Sequence, residues 1–432
     1  MKITLNSFKH YLSVDLILFL LYAITSLVPY FGSVDRAITQ WLYLSVINSI
    51  SIFYLLYNIN AYSAYKNLFK SLLFLFFSLF IISIVISFFQ TYNIVESIIK
   101  LSQWFNLYFS FIVFCFILTK VPRILIFLIL SLIFIIQLYF TFHGYFQLIE
   151  YVSFDFSMSY LLKGVTGNKN VAATLFCILI PFVYYLLFVS KKTFHFVFLF
   201  LILTFAFYAI FLLGSRTSYI ILFFQFIAFL FSFLHFSFKS KFNFRNFSLK
   251  LIKLFLPILF SLFVFSNFTG NNTSIQIQDR VQSINPTDAS TNIRLKFFSL
   301  AIDEFLSAPF TGIGAGNWKI KSVELYSSEI ENYTAPYHVH NDFLEIAVEL
   351  GLFGLVPFIL IFFSIFYYGS YIIRNSFSFI NFFYIYCLFI SIGSYIIDSM
   401  LNFPHARPAV SLLLMISLSL VSLEYFKIKS NE

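Results

Sequence analysis

Long apolar stretches, separated by short polar segments, follow one another along almost the whole chain. A helix that crosses a bilayer needs about 20 mostly apolar residues, and these stretches have that length. The first stretch follows Lys2 and Lys9, as in a signal peptide, but no convincing small-residue cleavage site follows it, so we interpret it as a retained anchor. The pattern predicts twelve transmembrane helices, over residues 13–31, 38–57, 68–89, 103–119, 121–142, 171–190, 194–214, 217–238, 250–268, 343–369, 378–400 and 406–426.

The composition demands lipid as the solvent for most of these residues. Hydrophobic residues make up 60% of the 432 residues and charged residues only 10%, whereas a soluble domain carries about 25% charged residues. This excludes a cytosolic enzyme, a disordered chain and a nucleic-acid-binding domain. The three cysteines each lie in an apolar stretch, with no spacing typical of disulfides or metal sites. We therefore expect an all-α polytopic membrane protein.

The placement of charge predicts the orientation. If the N-terminus is cytoplasmic and the twelve helices alternate, 16 of the 27 Lys and Arg residues fall in cytoplasmic segments, with only two acids, Glu424 and Glu432. Short loops rich in Lys and Arg stay on the cytoplasmic side. The sequence therefore predicts that both termini are cytoplasmic.

Two connecting segments on the outer side are then long enough to form loops with structure or function of their own. Residues 143–170 form a short loop, and residues 269–342, between the ninth and tenth helices, form the only long polar stretch. A helical period of apolar residues at 293–305, with Ser290 or Thr291 as the N-cap, makes the large loop partly helical and puts Arg294 in the first turn. We expect one integral membrane domain over residues 1–432.

Two arginines on this outer side are candidates for binding an anion. Arg216, in Gly214-Ser215-Arg216, is the only charged residue between Lys192 and Lys239. A snorkelling arginine at the membrane surface is the simpler interpretation. For Arg294, a solvated helix face is the simpler interpretation, but a cation near a helix N-terminus is disfavoured by the dipole, and a nearby anion would relieve that conflict.

The segment from His338 to Glu345 is a candidate for proton transfer. Asp342 and Glu345 have capping-box spacing, which places His340 and Asn341 just before a helix start. An imidazole there can accept the proton of a hydroxyl. A zinc site from His338, His340 and Asp342 and a purely structural histidine are the alternatives. Similarly, the glycines of Gly312-Ile-Gly314-Ala-Gly316 permit either close backbone approach or a simple tight turn.

In this order and on this face, the motifs resemble the O-antigen ligase family of polytopic membrane glycosyltransferases. The family also includes O-antigen polymerases and protein O-oligosaccharyltransferases. The resemblance covers about residues 160–425. It is carried by Gly164-Val-Thr-Gly167-Asn168-Lys-Asn170, Gly214-Ser-Arg216, Arg294, Pro309-Phe-Thr-Gly-Ile-Gly-Ala-Gly316, His338-Val-His340-Asn341-Asp342-Phe-Leu-Glu345, Gly351-Leu-Phe-Gly354 and Asp398-Ser-Met-Leu-Asn402-Phe-Pro404.

The resemblance implies an enzyme of the bacterial inner membrane. Its donor would be a glycan on undecaprenyl diphosphate and its acceptor a hydroxyl, with lipid A–core favoured over a growing polymer or a protein. Arg216 and Arg294 would hold the diphosphate and His340 would act on the acceptor. The resemblance implies neither a metal nor a nucleotide or other cofactor. It extends substrate binding to His338, Asn341, Asn168, Asn170, Gly314 and Gly316. The partners would be these substrates and membrane lipid, and the sequence does not fix the oligomeric state.

Two alternatives stay open at this stage. Direct attack by the acceptor would invert the anomeric configuration, but Asp342, Glu345 and Asp398 leave a covalent mechanism possible. A transporter or lipid flippase belongs to another class and predicts ionisable residues in mid-span. Asp15 is the one candidate for such a residue, and it lies near the end of its predicted helix.

Overall fold

The structure is a computed structural model that describes residues 13–33, 35–58, 65–151, 154–240, 243–268, 289–327 and 337–430. These residues form helices, short 3-10 turns and connections, with no strand among them, which confirms the all-α fold class. The α-helices are α1 Val14–Ile24, α2 Arg36–Asn58, α3 Tyr65–Phe69, α4 Leu72–Ile86, α5 Ile94–Ile117, α6 Arg123–Tyr151, α7 Lys169–Val189, α8 Thr193–Leu213, α9 Arg216–Lys239, α10 Phe244–Phe268, α11 Ala289–Ser307, α12 Trp318–Tyr326, α13 Asp342–Asn375, α14 Phe379–Leu401 and α15 Pro408–Lys429.

Eleven helices in the described ranges are long and apolar enough to cross a membrane, and a shorter apolar segment, Val14–Leu27, precedes them. Together they correspond one to one with the twelve predicted segments, and the division between the fourth and fifth is confirmed. Two predicted bounds differ most from the structure. The fourth helix begins at Ile94 rather than 103, because Asn93 caps it, and α6 runs to Tyr151, which shortens the predicted loop 143–170.

The bundle is organised around α7 and α15, which are buried along nearly their whole length. Around them, α14 packs against α7 and α9, α15 against α5, and α4 against α13. Peripheral helices present large apolar side chains outward, for example Phe53 (75% exposed), Phe223 (67%) and Phe363 (64%). Such a surface is stable only against lipid, so the multi-pass membrane protein expected from the composition is confirmed.

Helix α13 is broken at Gly351, whose φ of 61° and ψ of −161° are not helical. The freed carbonyls of Val348 and Glu349 accept hydrogen bonds, both 3.0 Å long, from the amides of Ile313 and Gly314. A Cβ at Gly351 would stand 2.3 Å from the carbonyl carbon of Phe310. The strap of residues 309–316 therefore lies directly on the break, and only glycine fits there.

The outer cap comprises the described parts of the large loop, residues 289–327 and 337–341, and has a small core of its own. Ala301, Ile313, Trp318, Val339 and Val348 pack together there. The predicted residues 269–288 and 328–336 of this loop lie outside the described residues. That residues 1–432 form one integral membrane domain stays a prediction.

The predicted start of the cap helix was wrong. Helix α11 begins at Ala289, so Ser290 and Thr291 lie inside its first turn rather than at the cap position. Arg294 consequently lies in the second turn, where the effect of the helix dipole is weaker.

Candidate functional site

A pocket opens at one end of the bundle, where α7 begins, α14 ends and α15 begins. Its space, including the part open to solvent, is about 410 Å³. Three of the nine predicted site residues line it, namely His340, Asn168 and Asn170. The full lining consists of Asn168, Asn170, Val171, Thr174, His340, Asp398, Asn402, Phe403, Pro404, Arg407 and Val410.

The ring of His340 lines this pocket. Its φ of 63° is rare for a residue with a side chain and persists only where the surroundings hold it. The ring stands edge-on to Phe403 at 5.0 Å, and its Nδ1 atom is buried without a hydrogen-bond partner among the described residues. Burial, and then the positive charge of Arg294, lower the pKa of His340 to about 4. The imidazole is therefore neutral at pH 7 and able to accept a proton.

A buried carboxylate holds the backbone beside His340. The Oε2 atom of Glu345 accepts the amide hydrogen of Val339 at 3.1 Å and lies 3.2 Å from Nδ1 of His338. The ring of His338 stacks on Phe403 at 4.1 Å. Burial lowers the pKa of His338, although Glu345 opposes that effect. His338 is thus part of the support under the pocket rather than one of its lining residues.

The predicted capping box is wrong by one residue. Asn341, and not Asp342, is the N-cap of α13, and its side chain accepts a hydrogen bond from the amide of Leu344 at 3.1 Å. Glu345 bonds to the amide of Val339 instead of to the cap residue. The side chain of Asn341 therefore caps α13, directly after His340.

The alternative zinc set of His338, His340 and Asp342 is not what the structure brings together. Among the described residues, the group with metal-ligand geometry is His338, Glu345 and His405, whose ligand atoms lie within 4.8 Å of one another. The sequence pattern missed this group because His405 lies 60 or more residues further along the chain than the other two.

Arg294 reaches the pocket from the cap. Its charge acts on His340, as described above, and it also lies within electrostatic range of Asp398 on the opposite wall. Arg294, in α11 of the cap, is therefore close enough for its charge to act on two residues of the pocket.

Arg216 approaches from the α8–α9 corner. Gly214 ends α8 in the left-handed conformation, with a φ of 58°, and Ser215 precedes Arg216, the first residue of α9. The next residue, Thr217, accepts a hydrogen bond from Asn402 of the pocket at 3.3 Å. The half-buried Arg216 therefore lies next to the pocket wall without being one of its lining residues.

Asn168 and Asn170 form the α7 side of the pocket. Asn168 caps α7 and accepts the amide hydrogen of Asn170 at 2.8 Å. The side chain of Asn168 thereby starts the helix, and both asparagines line the same space.

The structure gives Gly314 and Gly316 a packing position away from the pocket. A Cβ at Gly314 would stand 2.7 Å from the Cα of Thr91, and one at Gly316 would stand 2.7 Å from the carbonyl oxygen of Glu96. Asn317 fastens the same strap by accepting the amide hydrogen of Asn93 at 2.8 Å. These glycines allow the strap to lie on the start of α5.

The structure adds one carboxylate to the pocket whose surroundings the sequence did not reveal. Asp398 is buried near the end of α14 and accepts hydrogen bonds from Thr174 at 2.9 Å and from Asn402 at 2.6 Å. Both donors orient one oxygen, Oδ1. The family-like run from Asp398 to Pro404 was the signal for this wall.

A third arginine, Arg407, was missed. Its guanidinium stands over Phe403 at 5.2 Å, and Nη1 lies 3.3 Å from a carboxylate oxygen of Asp35. The run Pro404-His405-Ala-Arg407-Pro, on a short outer connection, was the available signal. The pocket therefore contains a neutral imidazole and a carboxylate, and three arginines lie in or beside it. Such a set is suited to binding a lipid-linked anion and to deprotonating a hydroxyl.

Comparison with known proteins agrees with the motif resemblance. Residues 199–359 match the family model described as O-antigen ligase. A Rickettsia felis protein named "Putative polysaccharide ligase" is 29% identical over 121 residues, which cover 25% of this chain and 29% of that protein. A Rickettsia conorii protein with the same description is 28% identical over 121 residues, with the same coverage. The matched segment thus spans less than a third of either relative. The resemblance to the O-antigen ligase family is confirmed over residues 199–359, which include Arg216, Arg294 and His340.

Proposed function

We propose that this chain is an O-antigen ligase-like glycosyltransferase. It transfers a glycan from undecaprenyl diphosphate to an acceptor hydroxyl, with lipid A–core as the favoured acceptor, at the periplasmic face of the bacterial inner membrane. The family match supports the class of reaction. The position of the pocket supports the side of the membrane, because the pocket lies at the end of the bundle that the charge distribution assigns to the outside.

The observation that carries the proposal is the environment of His340. A neutral imidazole with an unpartnered Nδ1 atom lines a pocket that also contains a buried carboxylate and lies close to guanidinium groups. A hydroxyl in the pocket can donate its hydrogen to a ring nitrogen of His340 and lose its proton as it attacks. Such general-base assistance contributes typically 10²–10⁴-fold to a rate.

Arg216 and Arg294 bind the diphosphate in this proposal. A lipid diphosphate is already a good leaving group, so the enzyme's task is to stabilise the charge that grows on the departing phosphate. Guanidinium groups bind phosphate through two parallel hydrogen bonds and stay charged at any working pH. Preorganised charge of this kind is usually the largest catalytic contribution.

The transfer itself is a direct displacement. The acceptor oxygen forms a bond to the anomeric carbon, the bond from that carbon to the phosphate oxygen breaks, and the electron pair leaves with the undecaprenyl diphosphate. His340 receives the proton of the acceptor hydroxyl. Because attack is opposite the leaving group, the anomeric configuration inverts. No metal or other cofactor is part of this scheme.

The remaining predicted residues keep supporting roles. Asn168 and Asn170 offer amides to the glycan, since both line the pocket. His338 and Asn341 hold His340 in place: His338 packs behind the pocket, and Asn341 caps the helix that follows His340. The positions of Gly314 and Gly316 favour a role in holding the strap over contact with the substrate.

A transporter is the competing class, and the positions of the buried charges argue against it. Asp342, Glu345 and Glu349 lie in the first two turns of α13, and Asp398 lies in the last turn of α14. Asp15 is the second residue of α1. These groups lie near helix ends and not at the midplane, where transporters bind their substrates.

The test is transfer by the purified full-length protein in detergent, with undecaprenyl-diphosphate-linked glycan as donor and lipid A–core, a lipid-linked repeat unit or a protein as acceptor. We expect transfer by the wild type and its loss in His340→Ala. The matched control is His195→Ala, because His195 is exposed in the first turn of α8, at the other end of the bundle. Transfer by His340→Ala at the wild-type rate, or no transfer to any acceptor by the wild type, would overturn the proposal.

The acceptor decides between members of the superfamily. A ligase adds whole chains to lipid A–core, a polymerase extends the lipid-linked repeat unit, and an oligosaccharyltransferase glycosylates the protein. In cells that lack the gene, single repeat units retained on the core would point to a polymerase.

A further inference from the structure

Beneath the pocket lies a buried cluster of charged side chains that the proposed reaction does not use. Lys100 of α5 reaches its centre: its Nζ atom lies 3.0 Å from Oε1 of Glu345, 3.6 Å from Oε2 of Glu349 and 2.7 Å from Nε2 of His405. The lysine side chain is 10% exposed and the two glutamates are less exposed still. An ammonium thus stands where three chain segments, distant in sequence, meet.

One branch of this cluster leads to His340. Glu345 holds the Val339 amide and the His338 ring, as described above, and Val339 is bonded directly to His340. The left-handed φ of His340 is strained for a residue with a side chain and has to be held by its neighbours. The carboxylate that Lys100 neutralises is therefore the group that fixes the adjacent backbone.

The other branch leads to the opposite wall. His405 lies between Lys100 and Asp342: Nδ1 is 2.5 Å from Oδ1 of Asp342, whose Oδ2 also accepts the backbone amide hydrogen of His405 at 3.2 Å. The residue two before it, Phe403, is the ring on which both His338 and His340 rest. Lys100 therefore connects the His340 segment with the 403–407 turn.

The protons in this cluster can be assigned from the contacts. The 2.7 Å separation between Nζ of Lys100 and Nε2 of His405 accommodates one hydrogen. His405 donates from Nδ1 to Asp342, and Lys100 and His405 share the hydrogen between Nζ and Nε2. The ammonium fills the place a metal would take among His338, Glu345 and His405.

We propose that Lys100 is a positioning residue for His340. Lys100 supplies the permanent positive charge that keeps both walls of the pocket in register. The expected effect on kcat rests on the proposed function. The expected effect on hydrogen-exchange protection does not. The groups that face this charge are Asp342, Glu345 and Glu349 of α13, His338 before it, His405 before α15, and, beside Asp342, Tyr395 of α14.

Removal of Lys100 leaves the positive charge of the cluster to His405, which lies against Asp342. Burial lowers the pKa of His405, and so does Lys100, but Asp342 and Glu345 together outweigh both and raise it to about 9. In Lys100→Met the lowering effect of Lys100 is absent, so the protonated His405 carries the charge and the chain still folds at neutral pH. Because its folded pKa lies above the unfolded value, that contribution is complete at low pH and is lost as the pH rises through and beyond 9.

The experiment measures hydrogen-exchange protection factors, by mass spectrometry on the full-length protein in detergent, at pH 7.5 and pH 10. In Lys100→Met we expect near-wild-type protection at pH 7.5. At pH 10, protection of segments 337–341 and 402–407 should fall about tenfold or more relative to the wild type, while residues 168–171 keep theirs. The kcat for glycan transfer, relative to the wild type, should fall about tenfold at pH 10, with the donor KM changed less than about threefold.

Two further variants complete the test. Lys319→Met is the matched control, because Lys319 pairs with Glu96, one turn before Lys100 in α5, but on the exposed side. It should behave as the wild type at both pH values. Lys100→Met/Glu345→Gln removes the carboxylate that needs a cation and should lose the pH dependence.

Two results would overturn the proposal: wild-type protection of Lys100→Met at both pH values, or a loss of protection spread over the whole chain. The protection factors need no substrate. A wild-type protein that transfers no glycan would therefore contradict the proposed function and leave this inference to be judged on exchange alone.

Discussion

His340 lies within electrostatic range of Arg294, and the charge of the arginine adds to burial in keeping the imidazole neutral. A bound diphosphate would neutralise that charge. Binding of the donor therefore raises the pKa of His340 just when a proton acceptor is needed. The base becomes stronger only in the complex with the substrate.

The pH dependence of transfer should show this coupling. Because the free-enzyme pKa of His340 is about 4, kcat/KM should rise with pH through that value and then stay level. The acid limb of kcat should lie at a higher pH, since the donor offsets Arg294. Arg294→Gln should move the acid limb of kcat/KM upward, because it removes a charge that lowers the pKa. Coincident acid limbs for kcat and kcat/KM would contradict this coupling.

Arg216→Lys should weaken binding of the donor while the charge is kept. A lysine cannot form two parallel hydrogen bonds to a phosphate, and one lost charged hydrogen bond is worth about 1.5 kcal/mol or more. We therefore expect the donor KM to rise about tenfold or more in steady-state assays. Arg245→Lys, at an exposed position near the start of α10, is the control. Wild-type kinetics in Arg216→Lys would remove Arg216 from the site.

Direct displacement predicts that no sugar becomes attached to the enzyme. Asp398 is the pocket carboxylate best placed to be a nucleophile, but Thr174 and Asn402 both bond to its Oδ1 atom. We expect unmodified protein by mass spectrometry after incubation with donor alone, and an inverted anomeric centre in the product by NMR. A glycosyl adduct on Asp398 would replace the mechanism with a covalent one.

Gly351→Ala should destabilise the protein and release the strap. The added Cβ would meet the backbone of Phe310 at 2.3 Å, and the φ of 61° is strained for alanine. We expect a loss of at least about 2 kcal/mol in the free energy of unfolding, measured by denaturation in detergent. In Gly144→Ala, within α6, the nearest atom lies at 4.0 Å, so this control should be neutral or slightly stabilising. Equal stability of the two variants would mean that the strap does not depend on the break.

Cysteine labelling tests the orientation. The native Cys115, Cys177 and Cys387 are buried, so they should not react with a membrane-impermeant maleimide. In spheroplasts we expect labelling of Leu306→Cys, on the exposed face of the cap, and none of Phe238→Cys, near the opposite end of α9, until the cells are lysed. The reverse pattern would invert the topology.

The sequence by itself determined the number of helices, their approximate bounds and their class. This was possible because a helix in lipid satisfies its backbone hydrogen bonds within its own segment, so each span can be recognised locally. It also singled out His340, Asn168 and Asn170, since polar residues at a membrane surface stand out against an apolar background. The predicted start of α5, nine residues too late, left Lys100 outside its helix.

Only the tertiary structure decided which side chains meet. Lys100 and Glu345 are 245 residues apart, and Thr174 and Asp398 are 224 apart. No local pattern encodes such pairs, because they depend on how helices pack around α7 and α15. His405 and Arg407 look like ordinary connection residues until that packing places them under and beside His340. The break of α13 at Gly351 also depends on a contact between distant residues, because the strap that lies on it is 35 residues upstream.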